Sequence, residues 1–388
     1  MNEESSVHSL ITQYENERAQ GGVSFYDVEQ FEQMANYFMD LGDWDSFKTC
    51  VEDARAQHPQ SLTFRIKEIQ WHIAVNEIDE AEDKILGLES LSGTHPELLI
   101  ARASILMGKG EIEKAQDLLE SALENADDPS EVYQMIVDAH QNNGDFRKAI
   151  DTLLRWIKSE DHIEDSALYQ LGMCYDFTGL HHEAVQTMEQ LTDAAPYNAL
   201  VWYQLGNSHL KLDQVEEARQ AYEYAVLAED DFHPAHYELG RIAEKKLLLK
   251  EALAHYKNAL SEDLPSGYIH LKIGLLELEF GAYELAESNL LKALDLDADP
   301  VDVNLAMANL CTEQERWEEA AKHYRYVWAE DAYHSEDVLD YVEVLLELDD
   351  LDLAIATLEF GMEKFPDLAE DPTLVEVIAQ IRALRNIE

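Results

Sequence analysis

Residues 199–232 read ALVWYQLGNSHLKLDQVEEARQAYEYAVLAEDDF, two short helical patterns joined by a polar turn. The first carries Trp202, Leu205, Gly206 and His209, and the second carries Ala218, Tyr222 and Ala225. Spacings of three and four put each set on one face of a helix. Small residues at Gly206 and Ala218 are expected to let the two helices approach closely, with Trp202 and Tyr222 filling the space beside them. A hairpin of this kind cannot bury its apolar face alone, so it has to stack on copies of itself.

The copies are present. Ala81, Ala115, Ala149, Ala184, Ala218, Ala252, Ala286, Ala320 and Ala354 follow one another at intervals of 34 residues, except for 35 between Ala149 and Ala184. Phe47 takes the same place one step upstream. The frame contains ten repeats, starting near residues 28, 62, 96, 130, 165, 199, 233, 267, 301 and 335. Other marks keep step with it. The small residue of the first helix is Gly172, Gly206, Gly240 or Gly274, with Ala35, Ala103 and Ala308 elsewhere. The turn between helices holds Gly42, Gly110, Gly144, Gly179 and Gly281, with Asn76 and Asp213 as the residues next most tolerant of positive φ.

At these residues the chain resembles the tetratricopeptide repeat family. The family pattern is best matched by Leu168, Leu171, Gly172, Tyr175, Ala184, Met188, Leu191 and Pro196. The resemblance covers residues 28–368 and implies an all-α fold: a right-handed α-solenoid of about ten 34-residue helix-turn-helix repeats with a C-terminal capping helix. Departures stand at Glu68 and Ile69, at Phe47 and at Leu247 in a turn. The first, second and last two repeats are therefore expected to pack less regularly.

Outside the repeats, Val7, Leu10, Ile11 and Tyr14 share one helical face within residues 1–27, which suits a leading helix over the first repeat or a flexible arm. In residues 369–388, Leu374, Val375, Ile378 and Ile381 make an inner stripe, with Glu376, Gln380, Arg382 and Arg385 outside it, as a terminal cap requires. The opening residues carry no secretory pattern, and no run of apolar residues is long enough to span a membrane. Cys50, Cys174 and Cys311 are far apart and read as core residues of a cytoplasmic, reducing environment.

The resemblance implies that places two, five, six, nine, twelve and thirteen of each repeat face the concave surface. The fifth place holds Tyr169, Tyr203 and Tyr237 in three successive repeats. Beside them come Asn207 and Arg241 at the ninth place, Lys211 and Lys245 at the thirteenth and Lys272 at the sixth. Two accounts fit: tyrosines packed between first helices with lysines balancing nearby acids, or the centre of a peptide-binding groove. Further along, Glu279, Asp302, Glu313, Glu336, Asp340, Glu343 and Glu347 fall at inward places, as a solvated face or as a trough for a basic segment.

Catalytic motifs are absent: there is no phosphate-binding loop, dinucleotide fingerprint or nucleophile elbow. His181, His182, His233 and His236 lack a second ligand pair in register, and His209 reads as a core residue. No metal, cofactor or enzymatic activity is expected. The expected function is a scaffold that binds a protein segment, basic or mixed aromatic and basic, in its groove. The alternative is an adaptor that assembles through its ends, its convex face or self-association. With 80 acidic and 28 basic residues the net charge is −52, which disfavours nucleic acid and anionic membranes as partners and favours basic proteins. The acidity equally suits solubility or high internal salt. Because self-repulsion is screened by salt, the melting temperature should rise between low and moderate sodium chloride; a fall measured by circular dichroism would contradict that electrostatic picture.

Overall fold

The computed structural model describes residues 3–126, 128–159, 163–261, 266–296, 298–370, 374, 377–379 and 382. All regular structure among them is helical. The chain divides into two compact units, residues 1–184 and 185–388. In the first unit a leading helix, Glu3–Ala19, precedes four hairpins: Val28–Asp40 with Trp44–Gln57, Leu62–Ala74 with Ile78–Ser92, Pro96–Gly108 with Ile112–Glu124, and Pro129–Asn142 with Phe146–Ser159. Helix Asp165–Thr178 follows, and the unit boundary falls within His181–Ala194. The second unit holds Ala199–Lys211 with Val215–Ala228, His233–Lys245 with Leu249–Asn258, and Gly267–Glu279 with Tyr283–Asp295. Pro300–Glu313 with Trp317–Ala329, and Ser335–Glu347 with Leu351–Lys364, complete it before the short helix Pro366–Glu370. The fold is an all-α repeat solenoid.

The turn between the two helices of a repeat has one backbone form throughout. Residues 42, 76, 110, 144, 179, 213, 247, 281, 315 and 349 all have positive φ. In each turn the next residue's N–H reaches back five residues to a helix carbonyl, as in Gln214 N to His209 O at 3.0 Å and Ala282 N to Glu277 O at 2.8 Å. This bond satisfies a carbonyl that the end of the helix leaves without an intrahelical partner. Gly supplies the left-handed conformation at five of these places and Asn or Asp at three. Leu247 and Glu315 adopt it too, against their steric preference, because stacking on both sides dictates where the chain must reverse. Helix starts are equally local: Pro96, Pro129 and Pro300 open first helices, and Asn198 Oδ1 accepts from Val201 N at 3.1 Å.

The close approach within a hairpin differs from the sequence expectation. A Cβ added at Gly206 would lie 2.5 Å from the Tyr222 ring, and one at Gly240 would lie 2.8 Å from Tyr256. At Gly274 it would lie 2.9 Å from Leu290. The ring of the second helix thus lies over the glycine, and Ala218 is not the nearest neighbour. Trp202 does not fill this space. It stacks on Tyr224 at 4.6 Å, and its Nε1 donates to Pro196 O at 2.9 Å. In the third repeat Ala103 and Leu119 are buried in the same core.

The first repeat meets its departure with aromatics. Phe47 is fully buried against Trp44, ring centroids 5.6 Å apart, and Phe31 meets Tyr14, Tyr26 and Phe64 edge-on at 5.5–6.3 Å. The leading helix buries Ile11 and Tyr14 in this core, and the Tyr14 hydroxyl donates to Asp53 Oδ2 at 2.8 Å. Cys50, Cys174 and Cys311 are buried thiols. At the far end Ile378 is buried, Leu374 and Val377 pack against the last core, and Arg382 pairs with Glu359. Val375, Glu376, Gln380, Ile381 and Arg385 lie outside the described residues. Replacing Gly206 by Ala should destabilise the protein by about 1–3 kcal/mol through overpacking, and Tyr222→Leu in the same chain should recover most of it, as denaturant unfolding would measure.

Candidate functional site

The inward places of repeats six to eight lie in the second unit, and most of their polar groups already have internal partners. Tyr222 is fully buried by its packing on Gly206, so its hydroxyl needs an acceptor, and Asn207 Oδ1 takes it at 2.8 Å. Asn309 does the same for Tyr324 at 2.6 Å. In the repeat after Asn207, Arg241 occupies the asparagine place, and the Tyr256 hydroxyl donates to Glu244 Oε2 at 2.5 Å instead. Burial, above all, pushes the Tyr222, Tyr256 and Tyr324 phenols far up, so all three stay neutral donors.

The bases are tied in the same way. Arg241 forms an ion pair with Glu238 at 2.8 Å and lies 5.8 Å from the Tyr237 ring. Lys272 reaches Glu244 Oε1 at 3.0 Å and lies over Tyr268 at 5.6 Å. Lys245 is exposed. Tyr203 packs on Tyr222 and Phe232 with centroids 5.7 and 5.6 Å away, and Tyr237 packs on Tyr256 and Tyr268 at 6.2 and 6.3 Å. The half-buried phenols of this unit are thus rings of an ordered wall, and Asn207 offers a ligand only its amide N–H groups.

Tyr169 belongs to the first unit and is more open, at 46% exposed. Two residues that the sequence reading did not single out share its face of helix Asp165–Thr178. Met173 is 55% exposed and Phe177 69%, four and eight residues on from Tyr169. Phe177 stacks on Phe146 at 4.9 Å. The signal was available in the sequence as large apolar residues at places nine and thirteen, where most other repeats carry polar ones.

Of the seven predicted acids, all are exposed, and three are brought together. Burial, followed by the charges of Asp337, Glu343 and Glu336, raises the Asp340 carboxyl above the usual range. Asp337 was not among the sequence candidates. Glu279, Asp302, Glu313 and Glu347 stand at exposed places along the first helices.

The histidines serve a different role from ligation. Three pairs 19 residues apart join first and second helices: His236 Nδ1 with His255 Nδ1 at 3.1 Å, His270 Nδ1 with Asn289 Oδ1 at 2.9 Å, and His323 Nδ1 with Asn304 Oδ1 at 2.8 Å. His209 is buried, with Nδ1 2.7 Å from Gln214 Oε1. Among the described residues, no three His, Cys, Asp or Glu side chains converge to hold a metal ion. No described helix is long and apolar enough to cross a membrane.

Sequence models of the tetratricopeptide repeat family match residues 165–198, 203–268 and 312–381. No curated protein sequence matches the chain significantly. Among solved structures, the chain is similar to YrrB, described as a TPR protein with an unusual peptide-binding site, at 17% identity, covering 51% of this chain and 100% of that one with a TM-score of 0.44. The Cut9–Hcn1 hetero-tetramer of the APC/C is 12% identical, covering 100% of this chain and 91% of that one with a TM-score of 0.39. PilF of Pseudomonas aeruginosa is 18% identical, covering 56% and 97% with a TM-score of 0.45.

The Asn207–Tyr222 contact has a measurable signature. Asn207→Ala should cost about 1–3 kcal/mol by stranding a buried hydroxyl, and Tyr222→Phe in the same chain should return part of that loss. Additive losses in denaturant titrations would mean that the two side chains do not depend on each other.

Proposed function

Because the chain belongs to the tetratricopeptide repeat family, we propose that it is a non-enzymatic scaffold of the cytoplasm, holding an extended segment of a partner protein on the inward faces of its first helices. The observation that carries this reading is the stripe of Tyr169, Met173 and Phe177, three large apolar side chains left in water on one helix face. Exposed apolar residues grouped this way mark a surface that a partner covers. Tyr203 and Tyr237 stand at the corresponding places of the next repeats. The exposed acids Glu336, Asp340 and Glu343 favour a segment that ends in basic residues.

Exposed leucines on second helices favour a second reading, assembly through the outer face or by self-association. Leu227 is 75% exposed, and Leu285, Leu291 and Leu294 are also uncovered.

Pull-downs from the native cytosol separate the two. With Tyr169→Ala and Phe177→Ala together, or with Tyr203→Ala and Arg241→Ala together, the captured partner should be lost, while Leu227→Lys with Leu291→Lys should leave capture unchanged. The reverse pattern would assign binding to the outer face. A partner whose recovery falls as salt is raised would support the basic segment.

A further inference from the structure

The first helices of the four N-terminal repeats border a cavity of about 690 Å³ within the first unit. That volume is in the range of pockets that take organic ligands. Asp40, Gln70, Glu97 and Asp138 bring an acid or amide from each repeat to the wall, and Ser104, Gln141, Asn142 and Asn143 also line it. Between them lie the apolar side chains of Ile73, Ile100 and Met135, with Trp44 at one edge. None of these residues is among the sequence candidates, which lie in repeats five to ten.

Three of the wall's donors are engaged within the fold, Ser104 with Ile100 O, Gln141 with Cys174 Sγ and Asn143 with Asp145, whereas its acids are not matched by cations. No lysine or arginine is bonded to Asp40, Glu97 or Asp138 among the described residues. Lys67, the nearby cation, is buried and gives its Nζ to Asn36 Oδ1 at 2.6 Å. Burial raises all three carboxyls, and Lys67 draws Asp40 and Glu97 only partly back. Asp138 is pushed up to about 6 by burial, with the Asp40 charge adding to it, against one hydrogen bond from Gln134 Nε2 at 2.9 Å. Gln70 Oε1 is shut off from water and has no hydrogen-bond partner. A buried carbonyl oxygen in that position is short of a donor. The acids are nevertheless too dispersed for a metal, since no three converge among the described residues. A dispersed ring of acceptors around an apolar middle suits a cation that spreads its N–H groups and carries an aliphatic stem.

We propose that this cavity is a recognition pocket for the ammonium or guanidinium group of a lysine or arginine side chain carried by a partner peptide. The charged head lies among Asp40, Glu97, Asp138 and Gln70, and the methylene stem lies on Ile73, Ile100 and Met135. This rests on the scaffold reading above but uses none of the residues of repeats five to eight.

The test is equilibrium binding of labelled hexapeptide pools, each with one fixed residue (Lys, Arg, Leu or Glu), to the full chain at physiological salt. Two variants are compared: Glu97→Gln with Asp138→Asn in the pocket, and Glu113→Gln with Asp117→Asn, which removes the same charge from an exposed second-helix face. The Lys and Arg pools should bind the unchanged chain best. The pocket variant should weaken them at least tenfold and the control less than twofold. Acetylating the lysine pool should abolish its preference. The pocket variant should melt no lower than the unchanged chain at pH 7.5, because it removes repelling, desolvated charges, so weaker binding would not reflect unfolding. Equal weakening by both variants, retained binding of acetylated peptide, or no preference for the basic pools would overturn the proposal. So would displacement by spermidine at the concentration of the peptide itself, which would make the pocket a polyamine site. If instead Tyr203→Ala with Arg241→Ala loses its cytosolic partner while the pool preference survives, the two sites act separately. Loss of the pocket alone leaves the groove reading standing.

Discussion

Two helices of a hairpin can approach only as closely as the side chains between them allow, and in this chain that distance is set by one matched pair per repeat. A ring or branched side chain on the second helix lies over a glycine or small residue on the first, as Tyr222 does over Gly206 and Tyr256 over Gly240. The partner varies between repeats: Leu290 lies over Gly274. Fixing this distance fixes the slope of each hairpin, and hence the face it presents to the next.

The same packing creates a polar problem, which the inward face solves. A tyrosine buried over glycine carries its hydroxyl through the hairpin, where water does not reach it. Asn207, Asn309 and Glu244 accept those hydroxyls, so residues that look like ligand contacts serve the core first. Arg241 and Lys272 are likewise held by Glu238 and Glu244. What remains open for a partner differs between the two units: exposed apolar side chains on helix Asp165–Thr178 in one, exposed acids on helix Ser335–Glu347 in the other.

Charge is distributed with similar economy. Most ion pairs are on the surface, where each contributes little, so the large negative excess persists as a field. Where an acid is also desolvated, as Asp138 is, the carboxyl is raised because no bonded cation compensates it. Such a place responds most to an added cation, and it lies at an inward position.

The repeat, its ten-fold count and its turns were all legible in the sequence, because each depends on residues close together in the chain. A residue tolerant of positive φ every 34 positions, and apolar faces spaced by three and four, need no distant partner to be recognised. Even at Leu247, where the residue type gave no warning, the register alone located the turn. The partners of Asn207 and His270 were hidden, since they lie 15 and 19 residues away across a helix interface and depend on which side chain fills which gap. Nor could the sequence reveal the cavity of the first four repeats, whose acceptors come from four helices spread over about a hundred residues. Local periodicity therefore determined the architecture, whereas burial decided which polar groups are spent inside the fold and which are left for a partner. Burial is a property of neighbours that only the folded chain brings together.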